Sequence, residues 1–226
     1  MAVSNTSSGS GSATWTPSTD LTITLPSYSA GDLGIVIAFA NWTFNGTPSM
    51  NQSWTTLKFN NTSSNTDRAV FIGYKILGAS ETNPEVDMSM STGKQVDWIC
   101  ATYGGIDASV PFDVTTEQKS SSGNPPTSIS TDPITPVTDG NMLLQALCLS
   151  GSGQTISGIA GYSEVIERLS TNRNIELDEK IQATAATEPL QAWTVGTNDD
   201  YFAYTMSIRP GSSGGGGGGS SRIFIT

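Results

Sequence analysis

The chain contains no histidine, so any chemistry must come from its carboxylates, its two cysteines or its aromatic rings. Without imidazole there is no Ser-His-Asp or Cys-His pair, and the commonest zinc ligand is missing. Cys100 and Cys148 lie in apolar, strand-like runs, "VDWICATY" and "MLLQALCLS", with no basic neighbour to lower a thiol pKa. They read as small buried hydrophobes; a disulfide is the alternative that spacing alone does not decide. Asp199–Asp200 and Glu85/Asp87 are the carboxylates placed to hold calcium in β-loops, but no EF-hand spacing accompanies them. No two acids stand out as the pair a glycoside hydrolase needs. The run Gly214, Gly215, Gly216, Gly217, Gly218, Gly219 leads into Ser-Ser-Arg and not Gly-Lys-Ser/Thr, which excludes a phosphate loop. The expectation is a protein without catalytic residues, metal or cofactor.

Aromatic rings leave a binding alternative. Trp42, Phe44 and Trp54 flank "NGTPSMNQS", and Tyr201, Phe202 and Tyr204 cluster later. Strand aromatics mostly pack inward. Trp42 and Phe44, beside a Gly-Pro turn, are the pair that could stand outside as a platform for a host-surface glycan.

Ten basic against twenty acidic residues give a net charge of −10. Nucleic acid is a poor partner for such a chain, because phosphate binding needs lysine and arginine stripes. The same charge argues against anionic membrane surfaces, and no apolar stretch approaches the roughly 20 residues of a membrane span. Charged residues make up 13 % and apolar residues 36 %. Serine, threonine, asparagine and glycine fill the rest, as in extracellular and viral β-proteins. The first nineteen residues lack a basic start and an apolar run. The Asn-x-Ser/Thr sites at Asn41, Asn45, Asn51, Asn60 and Asn61 are therefore expected to be by-products of composition.

The elements that must position these side chains are strands. "LTITL" (21–25) and "SWTTLKF" (53–59) alternate, "LGIVIAFANW" (33–42) is a long apolar run, and "RAVFIGYKIL" (68–77), "VDMSMS" (86–91) and "VDWICATYGGI" (96–106) follow. Gly, Asn, Asp and Pro clusters separate them about every ten residues, the spacing of a sandwich or barrel. "EVIERLSTNRNIELDEKIQ" (164–182) reads as two strands around "STNRN".

The pattern then repeats. "AGDLGIVIAFA" (30–40) is matched by "DGNMLLQALCL" (139–149), "YKILGASETNPE" (74–85) by "EKIQATAATEPL" (179–190), and "VDWICATYGG" (96–105) by "DYFAYTMSIRP" (200–210). This predicts an all-β, jelly-roll-like β-sandwich over 20–210, built from two similar four-stranded halves, 20–106 and 132–210, joined by "KSSSGNPPTSISTDP". One sandwich is preferred to two in tandem, because about 80 residues make a thin core. Residues 1–19 are expected to be a flexible arm.

"SAGDLGIVIAFANW" with "SWTTL", then "FIGYKILGASETNPEV", then "ATYGGIDASVPFD" resemble a β-sandwich module of virion proteins in tailed bacteriophages, capsid decoration (cement) proteins and tail or fibre proteins among them. The likeness covers about residues 20–115 well and the second half more weakly. It implies a structural or adhesive virion component made in the host cytoplasm and sited on the outer capsid surface. Its partners would be the major capsid protein and copies of itself in an oligomer or lattice. The stretch 211–226 fits that role as a tether, Gly214 to Gly219, carrying a strand-prone docking peptide, Arg222, Ile223, Phe224 and Ile225. About ten flexible residues span roughly 16–19 Å root-mean-square, and such a peptide can add to a neighbour's sheet edge.

Overall fold

A computed structural model of the protein describes residues 2–62, 68–90, 92–114, 117–121, 127–152, 154–196 and 200–212. These residues form sixteen strands and no helix. The first half contributes β1 (Ser4–Trp15), β2 (Leu21–Thr22), β3 (Leu33–Ala40), β4 (Ser49–Met50), β5 (Thr55–Thr62), β6 (Arg68–Ile76), β7 (Glu85–Asp87) and β8 (Lys94–Gly104). The second contributes β9 (Glu117–Ser121), β10 (Ser128–Ser130), β11 (Asn141–Ser150), β12 (Ile156–Ser157), β13 (Ser163–Leu169), β14 (Arg173–Gln182), β15 (Ala192–Val195) and β16 (Tyr201–Ile208).

Each half wraps as a long hairpin rolled up on itself. β1 pairs with β8, β2 with β7 and β3 with β6, all antiparallel. Rolling then brings β3 beside β8 and β4 beside β7. The result is a five-stranded sheet, β1-β8-β3-β6-β5, and a three-stranded sheet, β2-β7-β4. The second half repeats both orders strand for strand, as β9-β16-β11-β14-β13 and β10-β15-β12. The all-β sandwich expected from the alternation is present. Four strands per half is corrected to eight, and each half carries its own pair of sheets.

The two halves solve the thin-core problem by sharing a third core. Ile35, Ile37, Phe39, Val70 and Ile72 on one large sheet pack against Leu144, Ala146, Cys148, Leu177, Phe202 and Tyr204 on the other. Each large sheet buries its opposite face under its own small sheet, through Val36, Phe71, Trp98 and Cys100 in the first half and Leu147, Leu149, Trp193 and Tyr201 in the second. Covered on both faces, β3 and β11 are buried along their whole length. That double cover is why their sequences run apolar without alternation.

The segment expected to be a free N-terminal arm is strand β1. It pairs with β8 from Ser4↔Gly104 to Trp15↔Lys94, with one bulge between Asn5 and Ser7. Val3 and Trp15, both buried, anchor its two ends. Glycine is required in between: a Cβ on Gly11 would lie 2.5 Å from Cζ2 of Trp98. The expected linker 119–133 also holds structure, since the end of β9 and all of β10 fall inside it. Gly31 (φ 93°) and Gly140 (φ 75°) take the left-handed turn before β3 and β11, the matched positions of the repeat.

One ionic cluster ties the halves together. Asp97 of β8 is wholly buried; its Oδ2 accepts from Arg173 Nε at 2.6 Å and Ser170 Oγ at 2.8 Å, and its Oδ1 from Arg168 Nε at 3.4 Å. Arg173 also donates to Gln95 Oε1, and Arg168 to Ser12 Oγ. Removing one partner of a buried, hydrogen-bonded pair strands the other charge. Asp97→Ala is expected to cost about 3–5 kcal/mol of unfolding free energy, read as a lowered urea midpoint. An unchanged midpoint would show that water replaces the carboxylate without loss.

Candidate functional site

The sequence-marked residues do not assemble into one site. Phe44 is 7 % exposed and meets Phe59 edge-on, so half of the expected glycan platform is core. Trp42 is half-buried, and the Lys94 ammonium lies over its ring, 3.8 Å from the centroid. Trp54, Tyr201, Phe202 and Tyr204 are buried. Cys100 and Cys148 are free thiols in different cores, and burial raises both, Cys100 to about 12. Glu85 accepts from Asn51 Nδ2, and Asp87 from the Ser89 amide. No group of three acidic residues able to hold a metal occurs among the described residues. Asp200 is buried. Asp199, Gly214–Gly219 and Arg222–Ile225 lie outside the described residues. The chain leads toward them from Gly211, whose amide donates to Gly105 O at 2.8 Å beside Ala2.

A polar layer lies where no motif pointed, between β14 and the small sheet β10-β15-β12. Alternate residues of β14 face it: Asn174, Glu176, Asp178, Lys180 and Gln182. Trp193 Nε1 donates to Asp178 Oδ2 at 2.8 Å, and the Ile159 amide donates to the same carboxylate. Beside this pair, Lys180 Nζ sits 2.9 Å from Glu188 Oε1. Tyr162 and Gln191 also donate to that oxygen, and Gln145 Nε2 reaches the Tyr162 hydroxyl. Thr205 Oγ1 closes the chain on Gln145 Oε1 at 3.0 Å.

Glu176 stands out in this network, in which Gln182 Oε1 also lacks a donor. It is 1 % exposed, and neither of its carboxylate oxygens meets a donor. Its neighbours are acids. Asp178 stands two residues along on the same face, and the ladder puts Glu167 opposite Glu176 and Glu164 opposite Asp178. Burial, then the Asp178 charge, pushes Glu176 up to about 9. Burial also raises Asp178 against the pull of the Trp193 bond, and raises Glu167. Two adjacent buried carboxyls cannot both ionise cheaply. With a proton, Glu176 becomes the donor that Asp178 can accept, and the pair carries one negative charge.

The fold does not require this layer. In the first half Val36 lies between Gly73 and Cys100 in the ladder, and Ala38 between Phe71 and Trp98. At the corresponding places of the second half Gln145 lies between Asp178 and Thr205, and Leu147 between Glu176 and Ala203. Lys75 and Lys180, each paired to a glutamate in the following turn, fix the correspondence. Met50 presses its sulfur on Gly73, whereas Gly158 faces Asp178 and Glu176. One half fills the layer with thioether and phenyl, the other with two carboxyls and the space left by a glycine. Sequence reasoning missed it because "NIELDEKIQ" alternates like a strand with a solvated face. Laying Phe71 and Gly73 on Glu176 and Asp178 in the repeat was the available signal.

No family model, curated protein or solved structure matches the chain. The sign of the proton linkage follows from Glu176. Its folded pKa, about 9, lies above the ordinary 4.5. Its stabilising contribution is complete below about pH 4.5 and is lost as pH rises through about 9. Glu176→Gln keeps the shape and a donor without the titration. It is expected to raise stability by about 1–4 kcal/mol at pH 9 and by little at pH 5, measured by urea unfolding at both pH values. Equal gains at both would remove the proton from the account.

Proposed function

We propose that this chain is a non-catalytic structural component of a bacteriophage virion, a decoration or cement protein on the outer face of the capsid. The observation that carries the reading is the rolled hairpin made twice. Nested pairing of first with eighth strand and second with seventh is the order of a jelly roll, an architecture shared by viral capsid and lectin domains. The step from fold to role is an analogy of architecture, and it agrees with the resemblance of residues 20–115 to virion modules. A cement protein works by bridging subunits, and a body with three stacked cores and an ion cluster between its halves is a stiff bridge.

The means of attachment is an open sheet edge. In the backbone ladder β1 is paired on one side only, with β8, and its twelve residues, "SNTSSGSGSATW", contain no charge and no proline. Proteins that avoid partners blunt such an edge with lysine, proline or a short strand. A shell protein or a sister copy can extend this sheet by adding a strand. The peptide 222–226 is the corresponding strand donor. A net charge of −10 keeps the free protein soluble until it docks.

Electron cryomicroscopy of the particles that carry the protein tests the reading. The expected result is a regular lattice over the head in hundreds of copies. Density confined to the tail tip would replace it with adhesion, and absence from particles would overturn it. Ser10→Lys with Thr14→Lys, both at exposed places on β1, is expected to lower occupancy at least tenfold. Surface changes of this kind alter unfolding free energy by about 0.5 kcal/mol or less. Undiminished occupancy would remove β1 from the contact.

A further inference from the structure

We infer that Glu176 and Asp178 form a proton-binding site whose single proton holds the small sheet β10-β15-β12 onto the second half of the molecule, so that this sheet loosens as the proton leaves. The inference goes beyond the virion reading and stands without it.

The geometry gives the proton a defined place. Asp178 Oδ2 is occupied by Trp193 Nε1, and Trp193 belongs to β15, the middle strand of the small sheet. Oδ1 of Asp178 and Oε1 of Glu176 both lie 3.8 Å from where a Cβ of Gly158 would be, just past β12. The pair therefore sits under two strands of that sheet. With the proton on Glu176, its O–H points to Asp178, and Asp178 keeps the indole N–H. When the proton passes to water, two buried carboxylates face one another. The surrounding charges make this worse. β13 contributes Glu164 and Glu167 opposite the pair. On β14 itself Lys180, the cation of this face, is held by Glu188, which also takes Tyr162 and Gln191. β11 and β16 present the uncharged Gln145 and Thr205, bonded to each other. Water must enter or a wall must move.

The wall that moves is the small sheet. β10 meets β15 at three residue pairs and β12 meets it at two, against ten pairs between β11 and β14. Few ladder bonds resist its displacement. The first half is a control built into the same chain: its small sheet is shorter still, with two residue pairs on each side of β7, but it rests on Val36, Phe71 and Cys100, none of which changes charge below pH 9.

Hydrogen exchange of the full chain between pH 5 and 10, corrected for the intrinsic pH dependence of exchange, tests the inference. Amides of β15 and β12 should lose at least tenfold protection across the upper part of that range, while those of β7 and β4 hold theirs. Infrared spectra should show a carboxylic-acid carbonyl band that fades over the same interval and is missing in Glu176→Gln, whose β15 protection should be independent of pH. Glu164→Gln, an exposed change that cannot impair folding through the core, removes a charge that raises both members of the pair. It should move the fading of the band and the loss of protection together to a lower pH midpoint. Equal behaviour of the two small sheets, a band that persists in Glu176→Gln, or a fading band without loss of β15 protection would each overturn the inference.

Discussion

Everything in this molecule follows from the need to cover both faces of two five-stranded sheets. A sheet of apolar strands cannot leave either face to water. With about a hundred residues per half, neither half has enough chain to build a thick cover. Each spends its short strands, β2, β4 and β7 or β10, β12 and β15, on one face and uses the partner half for the other. The shared middle core is thus the interaction on which both halves rely. Asp97, buried at its rim with Arg168 and Arg173, adds direction to an interface that apolar contact alone would leave free to slide.

Covering both faces also explains which elements the sequence made legible. β3 is an unbroken apolar run, and β11 is broken inside only by Gln145, because both faces of each are buried; the hairpin β13–β14 shows as two alternating runs around "STNRN". The repeat was readable from the Gly turn, the Lys-Ile pair and the Glu that follows, features tied to Gly31 and Gly140 and to the Lys75–Glu81 and Lys180–Glu188 pairs. β1 was not readable. Its serines and glycines carry no periodic signal, and the reason for Gly11 is Trp98, far away in sequence. The stacking of four sheets was hidden for a related cause: alternation reports that one face is apolar, but not what comes to lie on the other.

That same blindness concealed the polar layer. Glu176 and Asp178 occupy the polar phase of an alternating strand, where carboxylates normally meet solvent. Only the arrival of Trp193 and Gly158 from later and earlier parts of the chain closes them off. The two halves share one architecture and differ in what this layer contains. Trading Phe71 and Gly73 for two acids surrenders apolar burial and introduces a proton requirement, so the layer is the clearest place where the halves have parted in chemistry while keeping their shape.

The nested pairing has a kinetic meaning as well. In each roll the first strand has the partner most distant in sequence: β8 lies some ninety residues beyond the start of β1, and β16 follows β9 at a similar remove. Contacts of such long sequence separation must meet the entropy of loop closure before they return any stability, which makes folding slow. Synthesis runs from one end, so the first roll has all its strands before β11 emerges. It then presents Ile35, Ile37 and Phe39 as a finished apolar surface, and the second roll can condense on a template that already has its final form.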